Sequence, residues 1–191
     1  MAKFDNRSIL YLHGYDSSSQ GTKPQMLREL CTDNRLLIPD LPLDPQKCLE
    51  LSEDTLKTAS NDTLLIGASL GGFYAFYLAS KYNRDCLLIN PVIKPSDEVK
   101  KMIAEEEDIE KKKVLVTAAN LFLSLESNMA SLNNPKSCFL ALGSKDDVIE
   151  PMIAAKYIRE PHIQTYDDGH SLNDNFEKIL HDCEFYLAQK F

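Results

Sequence analysis

The sequence predicts an α/β protein, a mostly parallel sheet of about six strands with helices on both faces. Three observations carry that expectation. Short apolar runs alternate with stretches of helical spacing along the chain. The runs end in polar pieces, HGYDSS, GASLG, NPVIKP, GSKDD and DDGH. A parallel sheet collects its chemistry at the carboxyl ends of its strands, so such pieces belong there. Finally, residues 63–72 read TLLIGASLGG, a buried strand running into a tight turn and then a helix. The length of 191 residues suits one domain with a full core, and 43% hydrophobic with 26% charged residues is ordinary for a globular chain.

Taken in order, SILYL at 8–12 is the first strand, and HGYDSSS the loop after it. A helix follows from about Pro24, capped near Thr22 or Lys23, with Met26, Leu27 and Leu30 on one face. Residues 35–39 form a second strand stopped by prolines at 39, 42 and 45. Asp44-Pro45 opens a helix that runs toward Ala59, because proline suits the first turn. Residues 63–67 are the third strand, and FYAFYLASKY the helix behind it. CLLI at 86–89 is the fourth strand, closed by Asn90-Pro91, and SCFLAL at 137–142 the fifth. Residues 151–158 read as a helix, 163–166 as a sixth strand and 172–188 as a final helix. That helix carries its apolar stripe on Leu172, Phe176, Ile179, Leu180, Cys183 and Leu187.

Residues 95–135 break the alternation. The charged part, 96–113, reads as a solvated helix and the more apolar part, 114–132, as a second one. An insertion at this position lies beside the strand ends, so a lid is expected within a single domain spanning 1–191.

Composition narrows the partners. A formal net charge of −8 argues against nucleic acid and anionic membrane surfaces. The apolar runs are too short to cross a bilayer, and MAKFDNRS lacks the apolar segment of a secretory signal. The five cysteines are scattered, without C-x-x-C or a Cys/His cluster, which points to buried free thiols in a cytoplasmic protein and to no metal.

Gly67-Ala68-Ser69-Leu70-Gly71 is a G-x-S-x-G pattern in the strand–turn–helix context of a nucleophile elbow. The pattern alone is weak evidence, but the chain has only seven glycines and concentrates three of them at 67, 71 and 72. The N–H of Leu70, at the first turn of a helix, would favour negative charge near Ser69. A serine hydroxyl needs an imidazole to become a nucleophile. Of the four histidines, His170 follows the sixth strand at its carboxyl end, where a base belongs. An acid to orient it should follow another strand, and Asp146 and Asp147 after FLALGSK both qualify.

These pieces together resemble the α/β-hydrolases, and specifically the small bacterial YqiA-like esterases. The similarity rests on YLHGYDSS, GASLGGFYA, INPVIKP, GSKDDVIE and DGH, in order along nearly the whole chain. The resemblance implies Ser69 as nucleophile, Asp146 as acid and His170 as base. It implies an oxyanion hole from the N–H groups of Tyr15 and Leu70, with His13 holding its loop. It further implies a carboxylesterase acting on a small-molecule ester or thioester with no cofactor. An acyl-CoA thioesterase with the same residues, and a silent binding module of the same fold, are the alternatives. Lys94, one strand over from Ser69 at the start of the insertion, is expected near the pocket mouth, where it would meet an anionic part of the substrate.

Overall fold

The computed structural model describes residues 7–31 and 35–190. The first six residues of MAKFDNRS therefore lie outside the described residues. Six parallel strands form one sheet in the order β2-β1-β3-β4-β5-β6. They are β1 (Ile9–Leu12), β2 (Leu36–Leu37), β3 (Leu64–Ala68), β4 (Asp85–Ile89), β5 (Ser137–Gly143) and β6 (His162–Tyr166). The helices are α1 (Thr22–Leu30), α2 (Pro45–Thr58), α3 (Leu70–Tyr82), α4 (Pro95–Glu105), α5 (Ile109–Met129) and α6 (Phe176–Ala188).

Side chains alternate across each strand, and the two faces bury separate cores. Leu10, Leu12, Leu65, Leu88 and Leu140 point to one face, where α2, α3 and α5 pack. Ile9, Tyr11, Ile66, Leu87 and Phe139 point to the other, against α1 and α6. The stripe expected from Leu172 to Leu187 does bury there. The strand order reverses at β1: the chain leaves β1 for β2 on one side and returns to β3 on the other. Loops after β1 and β3 thus diverge at a crevice, the place where open parallel sheets hold ligands.

Local chemistry explains the helix starts. Asp44 caps α2, its carboxylate accepting from the N–H groups of Gln46 and Lys47 at 2.9 and 3.0 Å, with Pro45 at the first turn. The insertion does form two helices, but the break lies at residues 106–108 rather than 113–114. Asp108 decides it by capping α5 through Glu110 N and Lys111 N, both at 2.9 Å, so the IEKKK stretch joins the second helix. That helix is not a purely surface element. Ala118, Phe122 and Leu125 reach the core, and the Phe122 ring meets Phe73 of α3 edge-on at 5.6 Å. In α4 only Pro95 and Ser96 are buried.

Three other expectations change. Residues 151–158 form turns and one short 3-10 segment, Ala154–Lys156, not a helix. β2 shrinks to two residues at the sheet edge. The last helix begins at Phe176, because Leu172 adopts φ 51° to bury its side chain before the helix starts.

Candidate active site

Ser69 stands between β3 and α3 with φ 51° and ψ −123°, a conformation an L-residue adopts only under strain. Backbone bonds hold it there. Ser69 N–H donates to Ile89 O at 3.0 Å, and Ser69 O accepts from Gly72 N–H and Val92 N–H at 2.9 and 3.0 Å. The turn is tight enough that a Cβ at Gly67 would run into the carbonyl of Gly71.

His170 follows β6, and its Nε2 lies 3.1 Å from Ser69 Oγ although 101 positions separate the two residues. Its Nδ1 lies 2.9 Å from Asp146 Oδ2. A carboxylate only accepts, so Nδ1 carries the proton and Nε2 is left to accept from the serine hydroxyl. The Asp146 side chain is 1% exposed. Its Oδ1 accepts from Val148 N–H and Ile149 N–H at 2.9 and 3.0 Å, which reserves Oδ2 for the histidine. Asp147, the other aspartate left open by sequence, is exposed. Asp167 pairs with Lys145 at 2.9 Å, and Asp168 accepts from Gly169 N–H and Asn175 Nδ2 within its own loop.

The loop after β1 runs past the serine. A Cβ at Gly14 would sit 3.2 Å from Ser69 Cβ, so the chain leading to Tyr15 touches the elbow. The Tyr15 side chain itself points outward, 59% exposed. Leu70 opens α3, so its N–H has no acceptor within the helix. His13 is buried. Its Nε2 accepts from Leu41 N–H and its Nδ1 donates to Gly14 O, both at 2.9 Å. Asp40 accepts from Ser19 N–H at 2.6 Å and Arg28 donates to Ser19 O at 2.7 Å, fastening the far side of the loop.

Lys94 is not among the groups drawn together at Ser69. Its ammonium lies 3.3 Å from Glu126 of α5 and 5.1 Å from the centre of the Tyr157 ring. Lys94 and Tyr157 border two small clefts of about 190 and 220 Å³. The first also touches Val148 and Ile149, the residues whose N–H groups hold Asp146.

Sequence reading missed two buried polar residues. Lys23 of α1 donates to Ser171 O and, at 2.9 Å, to Asn173 Oδ1, tying that helix to the loop of His170. Asn90 bridges loops at the end of β4. A polar residue closing an apolar strand before proline is the available signal. Among the described residues, no group of three His, Cys, Asp or Glu side chains is arranged to hold a metal ion. No helix among them is long and apolar enough to cross a membrane.

The profile of the family described as "Uncharacterised protein family (UPF0227)" matches residues 8–187. The chain belongs to the UPF0227 family. This is the YqiA-like grouping that its motifs resemble. A UPF0227 protein of Shewanella woodyi is 33% identical over 106 residues, a match spanning 52% of this chain and only 59% of that protein. Another, from Pectobacterium atrosepticum, is 25% identical over 166 residues, covering 84% of this chain and 87% of its own. Among solved structures, this UPF0227 chain superimposes on one from the metagenome-derived lipolytic enzymes LipS and LipT with TM-score 0.71. The identity is 12%, covering 95% and 93% of the two chains. MGS-MChE2, an α/β hydrolase from lagoon-sediment metagenome of Mar Chica, Morocco, gives 0.66 at 18% identity, covering 99% and 94%. The Pyrococcus furiosus esterase Pf2001 gives 0.60 at 17%, covering 96% and 82%. At such identities the likeness concerns the fold, and the fold of this UPF0227 chain is that of the α/β-hydrolases.

Proposed function

We propose that the chain is a serine hydrolase that cleaves carboxylic esters through an acyl-enzyme on Ser69. The observation that carries the reading is the unbroken line from Ser69 Oγ through His170 to a buried, doubly anchored Asp146. Ser69 Oγ attacks the ester carbonyl while His170 Nε2 takes its proton. Asp146 keeps the ring in the tautomer that leaves Nε2 free and stabilises the imidazolium that forms. The N–H groups of Tyr15 and Leu70 receive the oxyanion, and loss of one such donor costs about 10²- to 10³-fold in rate. His170 returns the proton to the leaving alkoxide. Water, activated in turn by His170, then releases the acid and restores the serine.

The insertion enters this reading as the expected lid beside the strand ends. Phe122 holds α5 against Phe73 of α3, whereas α4 buries only Pro95 and Ser96. Lys94 enters as a cation shared with Glu126, available to an anionic group of a substrate held away from the scissile bond.

The test is covalent labelling with a fluorophosphonate together with hydrolysis of p-nitrophenyl acetate. The protein should label and turn over, while Ser69→Ala and His170→Ala should do neither at a comparable rate. Wild-type turnover in Ser69→Ala would end the proposal. A parallel panel of acyl esters and acyl-CoA thioesters assigns the acyl donor.

A further inference from the structure

Asn90 is the first residue after β4. Its backbone sits at φ 40°, a left-handed conformation that asparagine tolerates better than most residues, and it is 2% exposed. Its N–H donates to Ala141 O at 3.0 Å, which extends the ladder toward β5. Its side chain reaches farther. Oδ1 accepts from Gly143 N–H at 2.8 Å, and Nδ2 donates to His170 O at 2.8 Å and Gly169 O at 3.2 Å. One amide thus satisfies three backbone groups on two other loops, with both its donors and its acceptor engaged.

The two loops are those that carry the acid and the base. Gly143 begins the turn that presents Asp146, whose N–H donates back to Gly143 O at 3.3 Å. The other two partners are His170 itself and its neighbour. Meanwhile Ile89, the preceding residue, accepts from Ser69 N–H. Ile89, which ends β4, and Asn90, which follows it, therefore set the nucleophile by one backbone bond and the other two members by one side chain. The loops approach so closely that a Cβ at Gly143 would fall 2.5 Å from Gly169 O and 3.2 Å from Asn90 Nδ2. No larger residue at 143 allows this bridge.

We propose that Asn90 is a positioning residue, fixing His170 and the Asp146 turn against Ser69 without touching the substrate. The inference rests on the serine-hydrolase reading above. Its chemistry explains the residue type. Aspartate would keep an acceptor for Gly143 N–H but lose both donors and set a carboxylate against two carbonyl oxygens. Alanine would take this partner from Gly143 N–H and His170 O, and leave Gly169 O with Leu172 N–H alone.

The experiment compares wild type, Asn90→Asp, Asn90→Ser, Ser69→Ala, His170→Ala and the double variant Asn90→Asp/His170→Ala. Hydrolysis of p-nitrophenyl acetate is measured below the thermal unfolding transition of each and normalised to folded protein by circular dichroism. Displacing the base by a fraction of an ångström to about 1 Å should lower kcat by about 10- to 100-fold in Asn90→Asp, with KM within about twofold. In the His170→Ala background the same change should have no further effect, because the residue acts through the imidazole. Asn90→Ser carries the comparison if the aspartate variant does not fold. Wild-type kcat in the Asn90 variants, with Ser69→Ala inactive, overturns this inference alone. So does an equal loss with and without His170, which marks a general structural role. An active Ser69→Ala overturns the serine-hydrolase reading and this one with it.

Discussion

Gly71, in the first turn of α3, lies against the carbonyl oxygen of Leu12 at the end of β1, leaving no room for a side chain. The helix that follows Ser69 is therefore seated directly on the strand that feeds the His13 loop, backbone to backbone. Gly71→Ala should push the two apart. Overpacking of this kind costs about 1–3 kcal/mol, and here the obstacles, the carbonyl oxygens of Leu12 and His13, are backbone. The expected outcome is a lower thermal midpoint and at least a tenfold loss of ester turnover in whatever protein folds, since Ser69 and the Tyr15 loop move together. A stable, fully active Gly71→Ala would contradict this packing.

Asp146 and Asp147 are adjacent, but one carboxylate is buried and held by two backbone N–H groups and the other is exposed. Asp146→Asn should lower kcat by about 10³- to 10⁴-fold, because an amide presents the wrong partner to Nδ1–H and favours the unproductive tautomer. Asp147→Asn, at an exposed position, should stay within about twofold of wild type. Initial rates on one activated ester decide it, and a reversed ranking would mean that the acid is Asp147.

Lys23 predicts a pH dependence of stability. It is 8% exposed, and burial pushes its pKa down to about 8, with the Asp168 charge opposing. Between about pH 8 and the ordinary lysine range, the unfolded chain holds a proton that the folded chain has released. Stability from this group therefore rises with pH across that window, by at most about 1.4 kcal/mol per unit. Burial raises the Cys48 thiol to about 11, which acts in the opposite sense because the folded chain then keeps the proton. The difference between wild type and Lys23→Met cancels that contribution. Denaturant unfolding at pH 7.5, 8.5 and 9.5 should show the wild type gaining on the variant, and a constant difference would refute the assignment.

Lys94 shares its charge with Glu126, so its help to an anionic substrate should be modest. Lys94→Ala should raise KM for an anionic ester by about two- to fivefold, leave kcat unchanged, and lose that effect in high salt. A neutral ester should respond to neither. Equal changes for both esters would reduce Lys94 to a brace between β4 and α5.

Periodicity and local motif made much of this protein readable without coordinates. A run such as LLIGASLGG states its own conformation: apolar residues bury as a strand, and glycines allow the turn that only a small backbone fits. The stripe from Leu172 to Leu187 likewise announced which residues near the end of the chain would be buried. Residue type and position along the chain nominated Ser69 and His170, because strand ends converge in a parallel sheet whatever the details of packing. Tertiary structure decided what depends on neighbours far away in sequence. Asp146 and Asp147 are chemically identical, and only the turn that sends one side chain inward distinguishes them. The break between α4 and α5 followed the Asp108 cap more than the charge pattern, and Phe122 became core because Phe73 lies opposite. Lys94 found Glu126, 32 positions away. Asn90 looked like a strand terminator because its three partners lie 53 to 80 positions downstream, and an amide shows its use only when the backbone groups it satisfies have been brought to it.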